Sequence, residues 1–365
     1  MRVLILTPTV FPKISGNAVT AERWRRGLTE KGIDAKTLAA EELDPSTLQN
    51  LVLQYNPDII HVHHAFRSGA LLLEPGAAPA RTGPGIVVSP GGTDINEDLA
   101  DPTRRDTVLR VFKLAHLIIA QSPHIIRKLE LCLPSLIHRI AFVPKTVCWF
   151  GEEAYDLREA ARANPGDVLF FLPAGIRPVK GNLECLKRME QVYQLRQNIR
   201  FVAAGPPADK EYACRFEQTI ARNSAFACWI NCIPFAAMRS AYLAADVVLN
   251  ASFSEGLSNS LIEAIAAGKP VLAADIQGNR WPVLGSNGAA PSGLLYSLHD
   301  PQDFLQKALK LVDDGAFRAS FGQTEFRHQI VPPDPDNEVG GLIAVYLSAL
   351  SKSRLKNYQA EAGEP

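Results

Sequence analysis

The chain has 365 residues, and its 38 basic side chains balance 38 acidic ones, so the formal net charge is +0. This length predicts about two domains, at roughly 150 residues for each. The balanced charge excludes a general field that would attract nucleic acid or an anionic membrane. We therefore expect local recognition of ligands and no nucleic-acid partner.

The cysteines and the apolar runs indicate the compartment. Six cysteines are scattered without a C-x-x-C pair, which favours reduced thiols and a cytoplasmic location. The apolar start of the chain is too short for a secretory signal and is interpreted as a strand. No apolar run approaches the ~18 residues that span a bilayer, so no transmembrane segment is expected.

Apolar strands alternate with longer helical segments, which predicts an α/β architecture with parallel sheets. A first helix is expected from Asn17 to Lys31 and a last one from Leu342 to Leu350. A polar stretch over residues 151–167 separates two sets of strands, so two doubly wound domains should join near residues 145–166. In chain order the strands are expected at residues 3–6, 58–62, 86–88, 117–120, 168–172, 201–203, 227–230, 246–249 and 271–274.

The most informative segment runs from Asp246 to Asn279. An apolar strand leads into a Gly/Ser/Asn loop, the loop opens a helix, and the helix stops at Gly268 before Pro270. This punctuation is typical of a parallel β-loop-α-β unit. Loops at the carboxyl ends of such strands face ligands.

Two glutamates stand in that segment, Glu255 in the loop and Glu263 within a helix of Leu, Ile and Ala. A carboxylate among apolar side chains costs several kcal/mol unless it receives hydrogen bonds, which sugar hydroxyls would donate. The alternative is that Glu263 faces solvent or pairs with a basic residue. In that case Glu255 merely stabilises the helix N-terminus.

Three further loops follow strands. The first ends in Gly16 and Asn17 before a helix N-terminus, where free N–H groups bind phosphate. It contains no G-x-G-x-x-G or Walker sequence, which disfavours NAD and ATP enzymes. The loop from Pro173 to Asn182 offers two cations to a pyrophosphate, unless these are solvated surface charges. Gly205 belongs to a third loop that would form a wall for a base or ribose.

The run His61-Val62-His63-His64 ends a predicted strand. Strand alternation places His61 and His63 on one face and His64 on the other. A metal site is disfavoured because no carboxylate or cysteine follows closely in the sequence.

Taken together, these stretches resemble the retaining glycosyltransferases of the GT-B type known as family 4 or group 1. The resemblance covers roughly residues 1–350 and depends on Ser15 to Asn17, Gly175 to Gly181, and Asn250 to Ala264 with its Glu-x7-Glu motif. The chain is also similar to the branch named glycosyltransferase 1 domain-containing protein. That branch shares stretches like residues 16–21, 91–98 and 177–180.

The resemblance implies two Rossmann-like domains with a cleft between them. Residues 1–160 would bind the acceptor, residues 161–335 the nucleotide sugar, and residues 336–365 would form a helix on the N-terminal domain with a polar tail. The implied activity is transfer of a sugar from a nucleotide-diphosphate sugar to an unidentified acceptor, with retention and without a metal or cofactor. No pattern indicates the oligomeric state.

The resemblance also assigns roles to residues. Arg177 and Lys180 would bind the donor diphosphate, and Glu263 the ribose hydroxyls. Glu255 and the backbone N–H groups after it would bind the transferred sugar. The other substrate-binding candidates are Gly16, Asn17, Gly92, Thr93, Gly175, Gly205, Gly256, Leu257, Ser258 and Asn259.

Two departures from the family pattern stand out. Many members carry a histidine after the strand at residues 86–88, whereas this chain continues from Ser89 to Asp94. We expect either that Thr93 and Asp94 replace the hydrogen bonds of that histidine, with Asp94 in a catalytic role, or that the acceptor differs. The usual Gly-Arg step is lengthened to Gly175-Ile176-Arg177, which leaves Lys180 as the better-supported cation.

Three alternatives remain open from the sequence. Selenosugar synthases share features around Gly16, Trp24 and Gly92, and they offer a second substrate class. The missing histidine also suits a sugar-nucleotide-binding protein without catalytic activity. An NAD-dependent two-domain enzyme fits the fold class but lacks the glycine fingerprint.

Overall fold

The computed structural model describes residues 1–75, 83–285, 291–321 and 336–361, with side chains described as far as residue 354. The chain divides into two compact units, unit 1 (Met1–Lys145 and Asp334–Pro365) and unit 2 (Thr146–Pro333). The boundary expected at residues 160/161 falls inside unit 2. The last residues of the expected polar tail, 362–365, lie outside the described residues.

Twelve strands and thirteen α-helices occur in the described part of the chain. The strands are β1 (Arg2–Thr7), β2 (Asp34–Ala39), β3 (Ile59–His63), β4 (Gly85–Ser89), β5 (Leu117–Ala120), β6 (Ile140–Phe142), β7 (Val168–Pro173), β8 (Ile199–Ala204), β9 (Ala227–Ile230), β10 (Val247–Asn250), β11 (Val271–Ala274) and β12 (Gly293–Tyr296). The helices are α1 (Gly16–Glu30), α2 (Pro45–Tyr55), α3 (Arg105–Leu114), α4 (Pro123–Cys132), α5 (Leu157–Ala160), α6 (Asn182–Leu195), α7 (Lys210–Arg222), α8 (Met238–Ala244), α9 (Asn259–Ala266), α10 (Gln277–Leu284), α11 (Pro301–Asp313), α12 (Gly315–Ser320) and α13 (Asp336–Glu361).

Unit 1 is built on a six-stranded parallel sheet in the order β2-β1-β3-β4-β5-β6. The chain turns to one side after β1 and to the other side from β3 onward. The switch point therefore lies between the carboxyl ends of β1 and β3, where doubly wound sheets bind ligands. Helix α13 belongs to this unit, and its Leu342 and Tyr346 pack with Val3, Ile5 and Trp24 in one core cluster.

Unit 2 contains a second six-stranded parallel sheet in the order β12-β11-β10-β7-β8-β9. Its switch point lies between β7 and β10. The central strands β7, β10 and β11 are buried on both faces, and for this reason they are almost continuous apolar runs. In β7, Phe170 belongs to the core cluster on one face and Phe171 to the cluster on the other.

The α/β prediction with two doubly wound domains is confirmed. All nine predicted strands are present, and those at residues 117–120, 227–230 and 271–274 match to the residue. Sequence reasoning missed β2, β6 and β12. β2 is an edge strand containing Asp, Lys and Thr, β6 has only 3 residues, and β12 has 4 and begins with glycine, so their apolar patterns are weak.

The structure also bears on membrane and disulfide chemistry. Within the described ranges, no helix is long and apolar enough to cross a bilayer. All six cysteines are free thiols.

Candidate functional site

The centre of the candidate site is an ion pair at the switch point of unit 2. Lys180 lies in the loop after β7 and Glu255 in the loop after β10, and Lys180 Nζ is 2.5 Å from Glu255 Oε1. The two loops are also joined through their backbones, since Phe253 N–H donates to the Val179 carbonyl at 2.9 Å. Both charged side chains keep some solvent contact, with 20% and 12% exposure. A ligand can therefore reach this pair.

The Glu255 carboxylate is held ionised by its surroundings. Ser252 Oγ donates to the same Oε1 at 2.7 Å. Burial alone would raise the pKa of Glu255, but the charge and hydrogen bond of Lys180, the Ser252 hydrogen bond and the charge of Arg177 outweigh it and lower that pKa. The loop therefore presents a fixed negative charge beside two positive ones.

Two glycines allow the backbone to approach this centre. Gly181 has φ +60, and a Cβ there would overlap the Ala251 carbonyl oxygen. At Gly278, the second residue of α10, a Cβ would overlap the Glu255 carbonyl oxygen. Sequence reasoning did not single out Gly278, because the approach joins segments that are separated by a helix and a strand.

The loops after β7 and β8 form one side of the site. The Ile176 N–H donates to the Pro206 carbonyl at 2.9 Å, and Gly205, at φ +154, has no room for a Cβ beside Ala174. Gly175 lies between these contacts. The Arg177 N–H donates to Asn182 Oδ1 at 3.2 Å. Across the described ranges, the Arg177 guanidinium makes no hydrogen bond or ion pair, so this cation can serve a ligand.

Glu263 lies half-buried on α9 and accepts a hydrogen bond of 2.7 Å from the hydroxyl of Tyr242. Tyr242 is fully buried on α8. The Oε2 atom of Glu263 is thus bonded to a tyrosine hydroxyl. The sequence alternatives, exposure to solvent or a basic partner, do not describe this atom. Sequence reasoning missed Tyr242, which stands far from Glu263 in the chain.

Helix α9 begins directly after the Glu255 loop. Gly256 is buried, Leu257 is half-buried, and the extended residue Ser258 precedes Asn259 as N-cap. A buried amide network supports this segment and was not expected from the sequence. Asn250 Nδ2 donates to Ser258 Oγ at 3.2 Å, and Asn279 Nδ2 donates to Asn250 Oδ1 at 3.0 Å. The network fixes where the loop leaves β10 and where it enters α9.

In unit 1, Asp94 is completely buried. Its carboxylate accepts hydrogen bonds of 2.7–3.1 Å from the backbone N–H groups of Ala65, Gly91, Gly92 and Ile95. Gly92 has φ +113, and Thr93 Oγ1 lies 2.8 Å from His64 Nε2. Asp94 therefore holds the loops after β3 and β4 together, and in this arrangement its side chain is not presented to a ligand.

Gly16 and Asn17 open α1 in the same unit. Ser15, with an extended backbone, caps the helix by accepting the Ala18 N–H at 3.1 Å. Thr9 Oγ1 is 2.6 Å from the Ser15 hydroxyl and connects the cap to the loop after β1. Gly16 is exposed at the end of this loop, which leaves the first turn of α1 accessible.

The three histidines form hydrogen bonds inside unit 1. His61 lies between the Tyr346 hydroxyl at 2.8 Å and Ser89 Oγ at 2.9 Å, and His63 bonds the same Ser89 oxygen at 3.0 Å. Both contact Trp24, so the expectation that they share a face is confirmed. Burial lowers the pKa of His61 to about 3 and that of His63 well below its ordinary value. Where the structure describes the chain, no three His, Cys, Asp or Glu side chains cluster as a metal site would require.

Solved structures define the class of fold. The chain matches sucrose-phosphate synthase from Thermosynechococcus elongatus with a TM-score of 0.70 at 15% identity, over 99% of each chain. It matches HepE of Anabaena in complex with UDP and glucose with a TM-score of 0.72 at 16% identity, over 96% of this chain and 100% of that one. With its two parallel six-stranded sheets, the protein has the GT-B fold.

Sequence comparison adds matches to known families and proteins. Residues 166–314, which lie in unit 2, match the family model described as glycosyl transferases group 1. A glycosyltransferase 1 domain-containing protein 1 of Xenopus tropicalis is 25% identical over 306 residues, 82% of this chain and 85% of that protein. A D-inositol 3-phosphate glycosyltransferase of Streptomyces avermitilis is 31% identical over 185 residues, 47% of this chain and 39% of that protein.

Proposed function

We propose that the protein is a glycosyltransferase that moves a sugar from a nucleotide-diphosphate sugar to an acceptor, with retention at the anomeric carbon and without a metal ion. The observation that carries this proposal is the Lys180–Glu255 pair at the β7/β10 switch point of a group 1 glycosyl transferase domain. Relatives named as glycosyltransferases and structural neighbours solved with UDP and glucose support the same donor class.

The cations Lys180 and Arg177 would make the largest contribution to catalysis. When the bond between the anomeric carbon and the diphosphate breaks, negative charge accumulates on the departing diphosphate. Lys180 and the Arg177 guanidinium are placed beside the same loop to stabilise that charge. This is the role that a divalent cation takes in other phosphate chemistry, and it is the physical basis for proposing a metal-independent reaction.

The two carboxylates would bind the transferred sugar and the ribose of the donor. Glu255, ionised and followed by the start of α9, would bind the hydroxyls of the transferred sugar with the backbone N–H groups that follow it. Glu263 would bind the ribose hydroxyls. The loop at Gly205 would form the wall for the base or ribose.

We assign acceptor binding to unit 1, through the Gly16–Asn17 segment and the Gly92–Asp94 loop. Asp94 acts there as a positioning residue because its carboxylate is occupied by backbone N–H groups. The exposed start of α1 would contact the acceptor directly. The cytoplasmic location expected from the cysteine pattern is kept as a prediction.

A donor screen tests the proposal. UDP-, GDP- and ADP-glucose are incubated with the protein, released nucleotide is measured, and the anomeric configuration of the product is read by NMR before it mutarotates. We expect hydrolysis or transfer with one nucleotide, retained configuration, and unchanged rates in EDTA. An inverted product would contradict the retaining mechanism. Loss of activity in EDTA that Mg²⁺ restores would contradict metal independence, and binding without any turnover would favour a non-catalytic sugar-nucleotide-binding protein.

A further inference from the structure

Tyr242 carries a hydroxyl at the edge of an otherwise apolar cluster. Its ring packs edge-on against Phe171 of β7, with centroids 5.5 Å apart, and lies 5.8 Å from the ring of Trp149. The side chain is fully buried. Packing therefore fixes the ring, and the position of the hydroxyl oxygen is fixed with it.

That hydroxyl is directed at Glu263. Tyr242 donates to Glu263 Oε2 at 2.7 Å, across from α8 to α9. Burial, followed by the Glu263 charge and hydrogen bond, raises the pKa of Tyr242 well above its ordinary value, so it remains a donor at any pH near neutrality. A rigid donor on one carboxylate oxygen fixes the plane of the carboxylate. Without that hydrogen bond, the carboxylate of a half-buried glutamate would be free to rotate.

On the basis of the proposed function, we propose that Tyr242 is a positioning residue that orients the Glu263 carboxylate toward the neighbouring hydroxyls of the donor ribose. A carboxylate can accept two hydroxyl hydrogens side by side only in one orientation relative to the ribose ring. Tyr242 thus contributes to the choice of a ribonucleotide over its 2′-deoxy counterpart.

Calorimetric titration with nucleoside diphosphates tests the proposal. UDP, GDP and ADP, together with dUDP, dGDP and dADP, are titrated into the wild-type protein and into Tyr242→Phe, which preserves the ring packing. For the nucleotide that binds, we expect Tyr242→Phe to lower the affinity for the ribonucleotide by about tenfold, as expected for a hydrogen bond to a charged group. The affinity for the deoxynucleotide should change by less than about twofold, because the single remaining 3′-hydroxyl can bond the carboxylate without one fixed orientation of its plane.

Tyr296→Phe is the matched control. Tyr296 is also fully buried in unit 2, but its hydroxyl makes no hydrogen bond to Glu263, so neither affinity should change. Equal weakening of both nucleotides by Tyr242→Phe would show a merely structural role and overturn the inference, and so would no weakening of either. If the wild-type protein binds none of the six nucleotides, the proposed function itself fails. The inference about Tyr242 fails alone when the wild type binds and its preference for ribose survives the substitution.

Discussion

The two units place a carboxylate in loops at the carboxyl edge of their sheets, but they use it in opposite ways. In unit 1, Asp94 is fully buried and is bonded by four backbone N–H groups. In unit 2, Glu255 retains 12% exposure and is paired with the side-chain cation of Lys180. A backbone amide cannot leave, whereas a lysine can exchange its carboxylate for a phosphate. The two loops therefore differ: backbone N–H groups hold the Asp94 carboxylate after β4, whereas Glu255, at the switch point after β10, is paired with a side chain that a ligand could replace.

The largest expected effect comes from removing the charge of Glu255. Glu255→Gln leaves the shape of the side chain but deletes the negative charge that Lys180 and the transferred sugar would share. We expect the transfer rate to fall by about 10²–10³-fold, the range for one preorganised electrostatic group. Glu217→Gln on α7, which is exposed in the same unit, is the control. Wild-type activity in Glu255→Gln would remove this carboxylate from the site.

The corresponding change in unit 1 should affect folding instead. Asp94→Asn replaces one acceptor oxygen with a donor that faces backbone N–H groups. We expect a loss of about 3 kcal/mol in the free energy of unfolding, since buried donors are left unsatisfied. Chemical denaturation measures it, with the exposed Asp106→Asn on α3 as control. Full stability together with impaired catalysis would show that Asp94 acts on the substrate after all.

A third test concerns the close approach at Gly278. A Cβ there would overlap the Glu255 carbonyl oxygen, so Gly278→Ala must shift the loop that carries Glu255. We expect donor affinity to fall by about tenfold, consistent with a displacement of the order of one ångström in a positioned group. Gly340→Ala is the matched helical control because nothing lies within 4 Å of its Cβ position. Unchanged affinity in Gly278→Ala would show that the loop adapts at no cost to binding.

The smallest effect is on the pH dependence of stability. Because the folded-state pKa of Glu255 is lowered from 4.5, its pairing contributes stability above pH 4.5 that is lost as the pH falls toward the folded-state pKa. Melting temperatures of wild type and Glu255→Gln, compared between pH 7 and pH 3, should therefore converge on acidification. A difference that is constant over that interval would contradict an ionised, paired carboxylate.

The sequence was sufficient for most of the fold and for the principal charges of the site. Lys180 and Glu255 follow strands that are unmistakably apolar, and parallel strands bring their carboxyl ends to one edge, so their meeting was predictable. Tyr242, Asn250 and Asn279 were not, because each makes its contact across elements whose register no local pattern specifies.

Asp94 is a second case in which the sequence did not predict the partners of a side chain. The family resemblance predicted a catalytic role for Asp94, and the structure buries its carboxylate among backbone N–H groups. The sequence alone carried no signal that four backbone N–H groups would occupy the carboxylate, since one of them comes from Ala65 in another loop. Chemistry can be inferred from residue types, whereas the partner of a buried charge follows from tertiary packing.

Lys180→Ala gives the most direct test of the central claim, which is that cations of unit 2 bind the nucleotide diphosphate and stabilise its negative charge as it departs. Binding and turnover of the preferred donor are measured against the exposed Lys187→Ala on α6. The account predicts that Lys180→Ala lowers turnover by about a hundredfold or more while Lys187→Ala does not. Full binding and full turnover in Lys180→Ala would contradict it.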